Sequence, residues 1–244
     1  DMSFDAKLSL RIIKIGLPAG LQQAVVSLGH TAVMSLVNVF GPTVVAAFGA
    51  AQKIDNFSFM PSMSIGLATS TLAAQNIGAK KYDRVGETAK WATVMSIVLS
   101  VTMMGLVFFL PEYLLSMFTN EADVLKEGAK ILRILGVSYI PFGLMWITNG
   151  VIRGAGDTVI VMLISIFSFW GVRIPLAYYL SRTLSMGSTG IWTALSASSF
   201  LTFALSYLYY YSGRWKRVAV ISTRPGDGSD DDPSEDLLME TDLF

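Results

Sequence analysis

The sequence predicts an all-α, polytopic membrane protein: a six-transmembrane-helix bundle over residues 1–211 followed by a cytoplasmic, disordered acidic tail over residues 212–244. Three observations carry this prediction. Hydrophobic residues make up 52% of the 244 and charged residues only 15%. The 18 basic and 18 acidic side chains cancel, yet residues 212–244 hold 4 of the basic and 8 of the acidic ones, so the first 211 fall well below the roughly 25% charge of a soluble domain. Finally, no Asp, Glu, Lys or Arg occurs between Lys14 and Lys53, Asp55 and Lys80, Trp91 and Leu110, Ile134 and Ile152, or Thr183 and Gly213. Each run approaches or exceeds the ~20 residues that a helix needs to cross a hydrocarbon core ~30 Å thick.

The first run is nearly twice that length, and Gly41-Pro42-Thr43 supplies a turn that divides it into spans at 12–40 and 44–76. Breaks at Gly78, Pro111, Gly154-Ala155-Gly156 and Gly187 set the remaining spans at 88–110, 130–151, 159–180 and 187–211. A cleaved signal peptide would be one short apolar core, which five further spans exclude. Six crossings put both termini on one side, together with the second–third and fourth–fifth connections. That side holds Lys7, Arg11, Lys14, Lys80, Lys81, Arg84, Lys90, Arg153, Arg214, Lys216, Arg217 and Arg224, against Lys126, Lys130 and Arg182 on the other. Both termini are therefore expected in the cytoplasm, in a multi-pass protein assigned to a bacterial plasma (inner) membrane. Trp91, Tyr207, Tyr209, Tyr210, Tyr211 and Trp215 fall where an aromatic belt would meet the same interface. In the tail, Arg214-Trp215-Lys216-Arg217 leads into a Gly-, Asp- and Pro-rich stretch with little to bury.

Composition also excludes function classes. With no cysteine and one histidine there is no disulfide framework, thiolate nucleophile, Cys-ligated metal or multi-His metal site. No catalytic residues, cofactor or metal are expected, and no paired intramembrane carboxylates suggest an enzyme. The chain lacks the basic field of a nucleic-acid binder; its expected surroundings are the lipid bilayer and small molecules.

Helix-weakening residues recur inside four spans: Gly16, Pro18 and Gly20; Pro61 and Gly66; Pro141 and Gly143; and Pro175 beside Arg173. Such breakers suit the discontinuous helices of transporters as well as ordinary packing kinks. Bends are expected at Pro18 and Pro61, with Pro141 a further candidate. Candidate cavity or ion-coupling residues are Gln22, Gln23, His30, Lys53, Asp55, Asn149 and Arg173. His30 lies ~15 Å from Phe40, and Lys53 and Asp55 ~15 to 18 Å from Thr43, so the three share one depth at 1.5 Å rise per residue. Being two apart, Lys53 and Asp55 face different directions. Ionisable groups at that depth cost ~2.5 to 3.5 kcal/mol if they face lipid, so a pair, a wet cavity or a snorkelling Lys53 is expected. Gln22, Gln23 and Asn149 fit either ligand contacts or bonds between helices.

The string Gly16-Leu-Pro-Ala-Gly-Leu-Gln-Gln23 resembles the multidrug and toxic compound extrusion (MATE) family. So do Met60-Pro61 with Gly66-Leu67 and Gln75-Asn-Ile-Gly-Ala79, and Arg153-Gly-Ala-Gly-Asp-Thr158. Order and spacing resemble one half of such a protein over residues 8–211. The resemblance implies one lobe, the C-terminal one, of a two-lobe secondary antiporter with alternating access. It would export organic cations or other amphipathic compounds in exchange for H⁺ or Na⁺, which would be the only cofactor-like requirement. Asp1 in place of Met and the linker-like stretch to Lys14 add the expectation of a fragment, completed by an N-terminal lobe or by a second copy of itself. The family's acidic residue in this first helix is missing, since no Asp or Glu lies between Asp5 and Asp55. The resemblance then implies a coupling carboxylate in the N-terminal lobe, or Asp55 as its substitute within this one. A lipid-linked oligosaccharide flippase of the same superfamily is the alternative, with Lys53 and Arg173 supplying a cationic cavity. An ion channel would need a pore loop that these short connections do not offer.

Overall fold

The computed structural model describes residues 6–223, and every regular element among them is helical. In chain order these are α1 (Ala6–Asn38), α2 (Pro42–Gly78), α3 (Tyr82–Phe109), α4 (Pro111–Ser116), α5 (Ala122–Gly136), α6 (Tyr139–Gly154), α7 (Thr158–Thr183), α8 (Ser188–Tyr211) and α9 (Arg214–Thr223). By length and composition α3, α7 and α8 are long and apolar enough to cross a membrane, and the bent pair α5–α6 makes a fourth such unit. α1 and α2, at 33 and 37 residues, are ~50 and ~55 Å long, more than a bilayer needs, but carry more polar side chains. Together these make the expected six long units.

Their directions alternate. Gln22 meets Ser165 and His30 meets Phe169, so α1 and α7 run parallel. Gly66 lies against Gly150, and Ser70 against Gly154, so α2 and α6 are parallel too. By contrast Arg173 reaches Ser198 while Leu180 lies against Gly190, making α7 and α8 antiparallel. This is the pattern of an up-and-down chain with short connections.

An interruption of a long unit sits at the fourth one. α1 and α2 remain helical through Pro18 and Pro61. The fourth unit instead bends by 46° between α5 and α6. There the Ser138 amide bonds three residues back to Leu135, and Pro141 stands four residues after Val137. A proline ring clashes with the carbonyl four residues earlier, which puts the disruption at Val137. In α7 the backbone widens to π-helical winding over Phe167–Arg173 and Tyr179–Thr183, on either side of Pro175. A proline cannot donate the next hydrogen bond, and wider turns absorb the mismatch.

α2 and α6 form the axis of the lobe. A Cβ at Gly150 would stand 2.5 Å from the Gly66 carbonyl oxygen, and one at Gly154 2.5 Å from that of Ser70. Glycine is required at both because backbones in contact leave no room for a side chain. Apolar packing gathers at the two ends of this axis. One cluster has Phe48 stacked on fully buried Trp192 at 4.8 Å, with Leu115, Ile131 and Leu132; the other joins Ala73, Ile77, Val85 and Val151 to Trp215. Between them lies a buried layer of Asp55, Ser58, Ser62, Ser96, Ser100, Thr148 and Asn149. Ser58 and Thr148 close hydrogen bonds to carbonyls one turn back, which lets hydroxyls stay away from water.

One local reading needs correction. The start of the expected disordered tail is helical: α9 covers Arg214–Thr223, with Trp215 only 3% exposed, stacked on Tyr210 and donating to its carbonyl at 3.0 Å. Residues 224–244 lie outside the described residues. The Asp157 carboxylate accepts a hydrogen bond from the Tyr209 hydroxyl, tying the α6–α7 turn to the end of α8. The α1–α2 turn is as expected, with Gly41 at φ +92°, a backbone that side chains rarely adopt, and Pro42 opening α2.

Candidate functional site

The exposed faces of the long helices differ in chemistry. α3 presents Val94, Met95, Ile97, Val98, Val101 and Phe109, a surface for lipid. α1 presents Gly16, Gly20, Gln23, Ser27, His30, Thr31, Ser35 and Asn38 at three- to four-residue spacing. α2 exposes Lys53, Asn56, Ser64, Thr71 and Gln75 interleaved with Phe57, Met60, Met63, Leu67 and Leu72. Such a helix face is expensive against hydrocarbon and suits water, a ligand or another polar surface.

Along α1, side chains from three other helices form a polar ladder. Gln22 is 9% exposed and uses both ends of its amide: Nε2 donates to Ser165 Oγ at 2.6 Å, and Oε1 accepts from Arg153 at 2.9 Å. The Arg153 guanidinium also lies 5.4 Å from the Trp146 ring. Two turns further along, exposed His30 meets Phe169 edge to face with centroids 5.5 Å apart. The same phenylalanine also meets Arg173, 3.8 Å from the ring centroid, with Nε donating to Ser198 Oγ at 2.6 Å and a second nitrogen 3.5 Å from Ser199 Oγ. Trp170 donates to the Val25 carbonyl at 3.2 Å, fastening α7 to α1 within the same stretch.

Asp55 belongs to a separate site. It is 7% exposed and accepts a 2.5 Å hydrogen bond from the Tyr139 hydroxyl, so it points into the α2–α6 interior rather than out of the lobe. Lys53 turns the other way, as a two-residue offset requires: it is exposed, with its ammonium 5.1 Å from the Phe118 ring, at a cleft of ≈ 320 Å³ lined also by Gly49, Thr119 and Glu121. The common depth of His30, Lys53 and Asp55 therefore does not bring them together. Gln23 stands on the open face of α1, whereas Asn149 is 4% exposed with no hydrogen-bond partner for Oδ1.

Sequence reasoning missed Arg153 and Tyr139 as site residues. Arg153 sits in a glycine-rich stretch that reads as a turn, although being a charged residue at a helix end was a usable signal. Tyr139 carried none, since nothing in its neighbourhood foretells an aspartate from another helix. Among the described residues no cluster of His, Asp and Glu could hold a metal ion.

The chain resembles known proteins over most of its length. The chain is 31% identical over 219 residues to the probable multidrug resistance protein YoeA of Bacillus subtilis (strain 168), covering 90% of this chain and 47% of that one. It is 33% identical over 216 residues to the probable multidrug resistance protein YpnP of the same organism, covering 88% and 48%. The chain thus spans about half the length of the curated relatives it matches. The fold superposes on the outward-facing conformation of a multidrug resistance MATE family transporter of the MOP superfamily with a TM-score of 0.78 at 21% identity, covering 88% of this chain and 48% of that one. The MatE family model matches residues 18–179. With its motifs, helical bundle and relatives in agreement, the chain belongs to the MATE family and is an integral membrane protein.

Proposed function

We propose that the chain is one lobe of a secondary exporter of small amphipathic compounds, with both termini cytoplasmic and with H⁺ or Na⁺ entry driving export. The observation that carries this is the contrast between the polar exposed face of α1, with the polar groups that α2 exposes beside it, and the apolar face of α3. A second lobe, or a second copy of this one, closes a cavity over the polar faces, and rocking of the two exposes it to each side in turn. The half-length match to multidrug resistance relatives supports that assembly. Asp55 is the coupling candidate on this side. It is the only carboxylate in α1, α2, α6, α7 and α8, and a proton or Na⁺ arriving there would compete with the Tyr139 hydroxyl that joins α2 to α6.

The test is efflux of a fluorescent amphipathic compound from cells carrying the two-lobe assembly, with Na⁺ and pH gradients varied separately. Asp55→Asn keeps an acceptor for Tyr139 and should cut gradient-driven efflux at least tenfold or flatten its dependence on the driving ion, with expression unchanged. Full efflux with unchanged ion dependence would remove Asp55 from coupling. Reconstituted alone, the chain should give no gradient-driven uptake; robust uptake would mean that two copies play both parts.

A further inference from the structure

Arg153 and Arg173 are held only by neutral groups. Gln22 and the Trp146 ring hold the first, and Ser198, Ser199 and the Phe169 ring the second. No Asp or Glu occurs in α1, α6, α7 or α8, and Asp55 of α2 is engaged by Tyr139. Among the described residues the one ion pair, Lys130–Glu127, lies on α5. Both arginines are half-buried, so each keeps part of its surface open. A guanidinium has five N–H donors, and the bonds above use one on Arg153 and two on Arg173. Positive charge at membrane depth, where Arg173 lies, is costly, and an aromatic face offsets only part of that cost. The planar fork of arginine matches a carboxylate or phosphate with two parallel hydrogen bonds.

We propose that this lobe receives the oxyanion head of an amphipathic compound at Arg173. Arg153 stands at the level of Ser165, eight residues and ~12 Å nearer the α6–α7 turn, where it meets the same head on its way. The exposed rings of His30 and Trp170 beside Phe169 offer a surface for the apolar body. This inference rests on the export reading for its setting and narrows the substrate class to compounds carrying a carboxylate or phosphate.

Three probes with one body and different heads test it: pyrenebutyrate, its neutral amide, and a pyrene of the same chain length ending in trimethylammonium. Binding to the chain in nanodiscs of uncharged lipid is read by energy transfer from its tryptophans to pyrene. The anion should bind at least tenfold tighter than the cation. Arg173→Gln should remove that preference and leave amide binding unchanged, and Arg173→Lys should retain part of it. Equal or tighter binding of the cation by the unsubstituted chain overturns the proposal, even if Arg173→Gln fails to fold. Anion preference that disappears once the second lobe is present also overturns it, and identifies Arg173 as an ion-pair partner of that lobe.

Doping the nanodisc with an anionic phospholipid separates two sources of the head. Competition assigns the site to a membrane lipid phosphate, and its absence to a free amphipathic anion. Because binding is read without a gradient, failure of export leaves the anion preference standing. Gradient-driven export that favours the cation leaves the export reading standing and sinks the head-group assignment.

Discussion

Gly150→Leu is expected to prevent the lobe from assembling, with no monodisperse peak on size-exclusion chromatography in detergent. Even Gly150→Ala places its Cβ 2.5 Å from the Gly66 carbonyl oxygen and 3.4 Å from Thr69 Cβ. A clash with a flexible side chain would be relieved by a rotamer change, but this one is with backbone, and relief requires α2 and α6 to separate. That movement also disturbs the Gly154–Ser70 contact, where a Cβ would stand 2.5 Å from the Ser70 carbonyl oxygen. Overpacking typically costs ~1 to 3 kcal/mol, and the alanine variant should fall at the upper end of that range, with leucine beyond it. Gly105→Ala is the control: nothing lies within 4 Å of its Cβ position, and alanine is the better helix former. Equal melting temperatures for Gly150→Ala and Gly105→Ala would mean that the α2–α6 contact is far looser than described.

Tyr139→Phe is expected to destabilise the lobe by ~1.5 to 3 kcal/mol, the range for a hydrogen bond to a charged group. The loss exceeds that of an ordinary buried hydroxyl because the substitution leaves the Asp55 carboxylate, 7% exposed, without its tyrosine donor. Adding Asp55→Leu should then recover part of the stability, because the group whose desolvation is costly has gone. Strict additivity of the two losses in a thermal-unfolding cycle would show that the residues do not act as a pair. The cycle also bears on transport. Asp55→Asn should melt near the unsubstituted protein while affecting efflux, so stability and coupling can be read on different variants.

Much of the architecture was legible because a bilayer imposes a one-dimensional rule. Charge-free runs of the right length, with Gly41-Pro42 and Gly154-Ala155-Gly156 between them, specify spans whatever those spans later touch. The bend was harder to place. Pro18, Pro61 and Pro141 are equivalent locally, yet α1 and α2 continue as helix through theirs while the α5–α6 unit is interrupted near its own, since what a proline does depends on what its neighbours can absorb. The start of the tail was misread for a related reason. Arg214-Trp215-Lys216-Arg217 is polar by composition, but Trp215 finds Tyr210, Ile77 and Val85 to pack with, and these lie far from it in sequence apart from the tyrosine.

By itself the sequence determined the helical class, the six long units, the family and the short inventory of charges that a membrane lobe can hold. Those follow from hydropathy, helix rise and motif spacing, all properties of one segment at a time. Tertiary structure alone decided the partnerships: Asp55 with Tyr139, Gln22 with Arg153 and Ser165, and Arg173 with Phe169 and Ser198. Axial depth put His30, Lys53 and Asp55 at one level, but depth is a single coordinate. Which way each points depends on rotation about the helix axis and on which neighbour the glycines of α2 and α6 allow to come close.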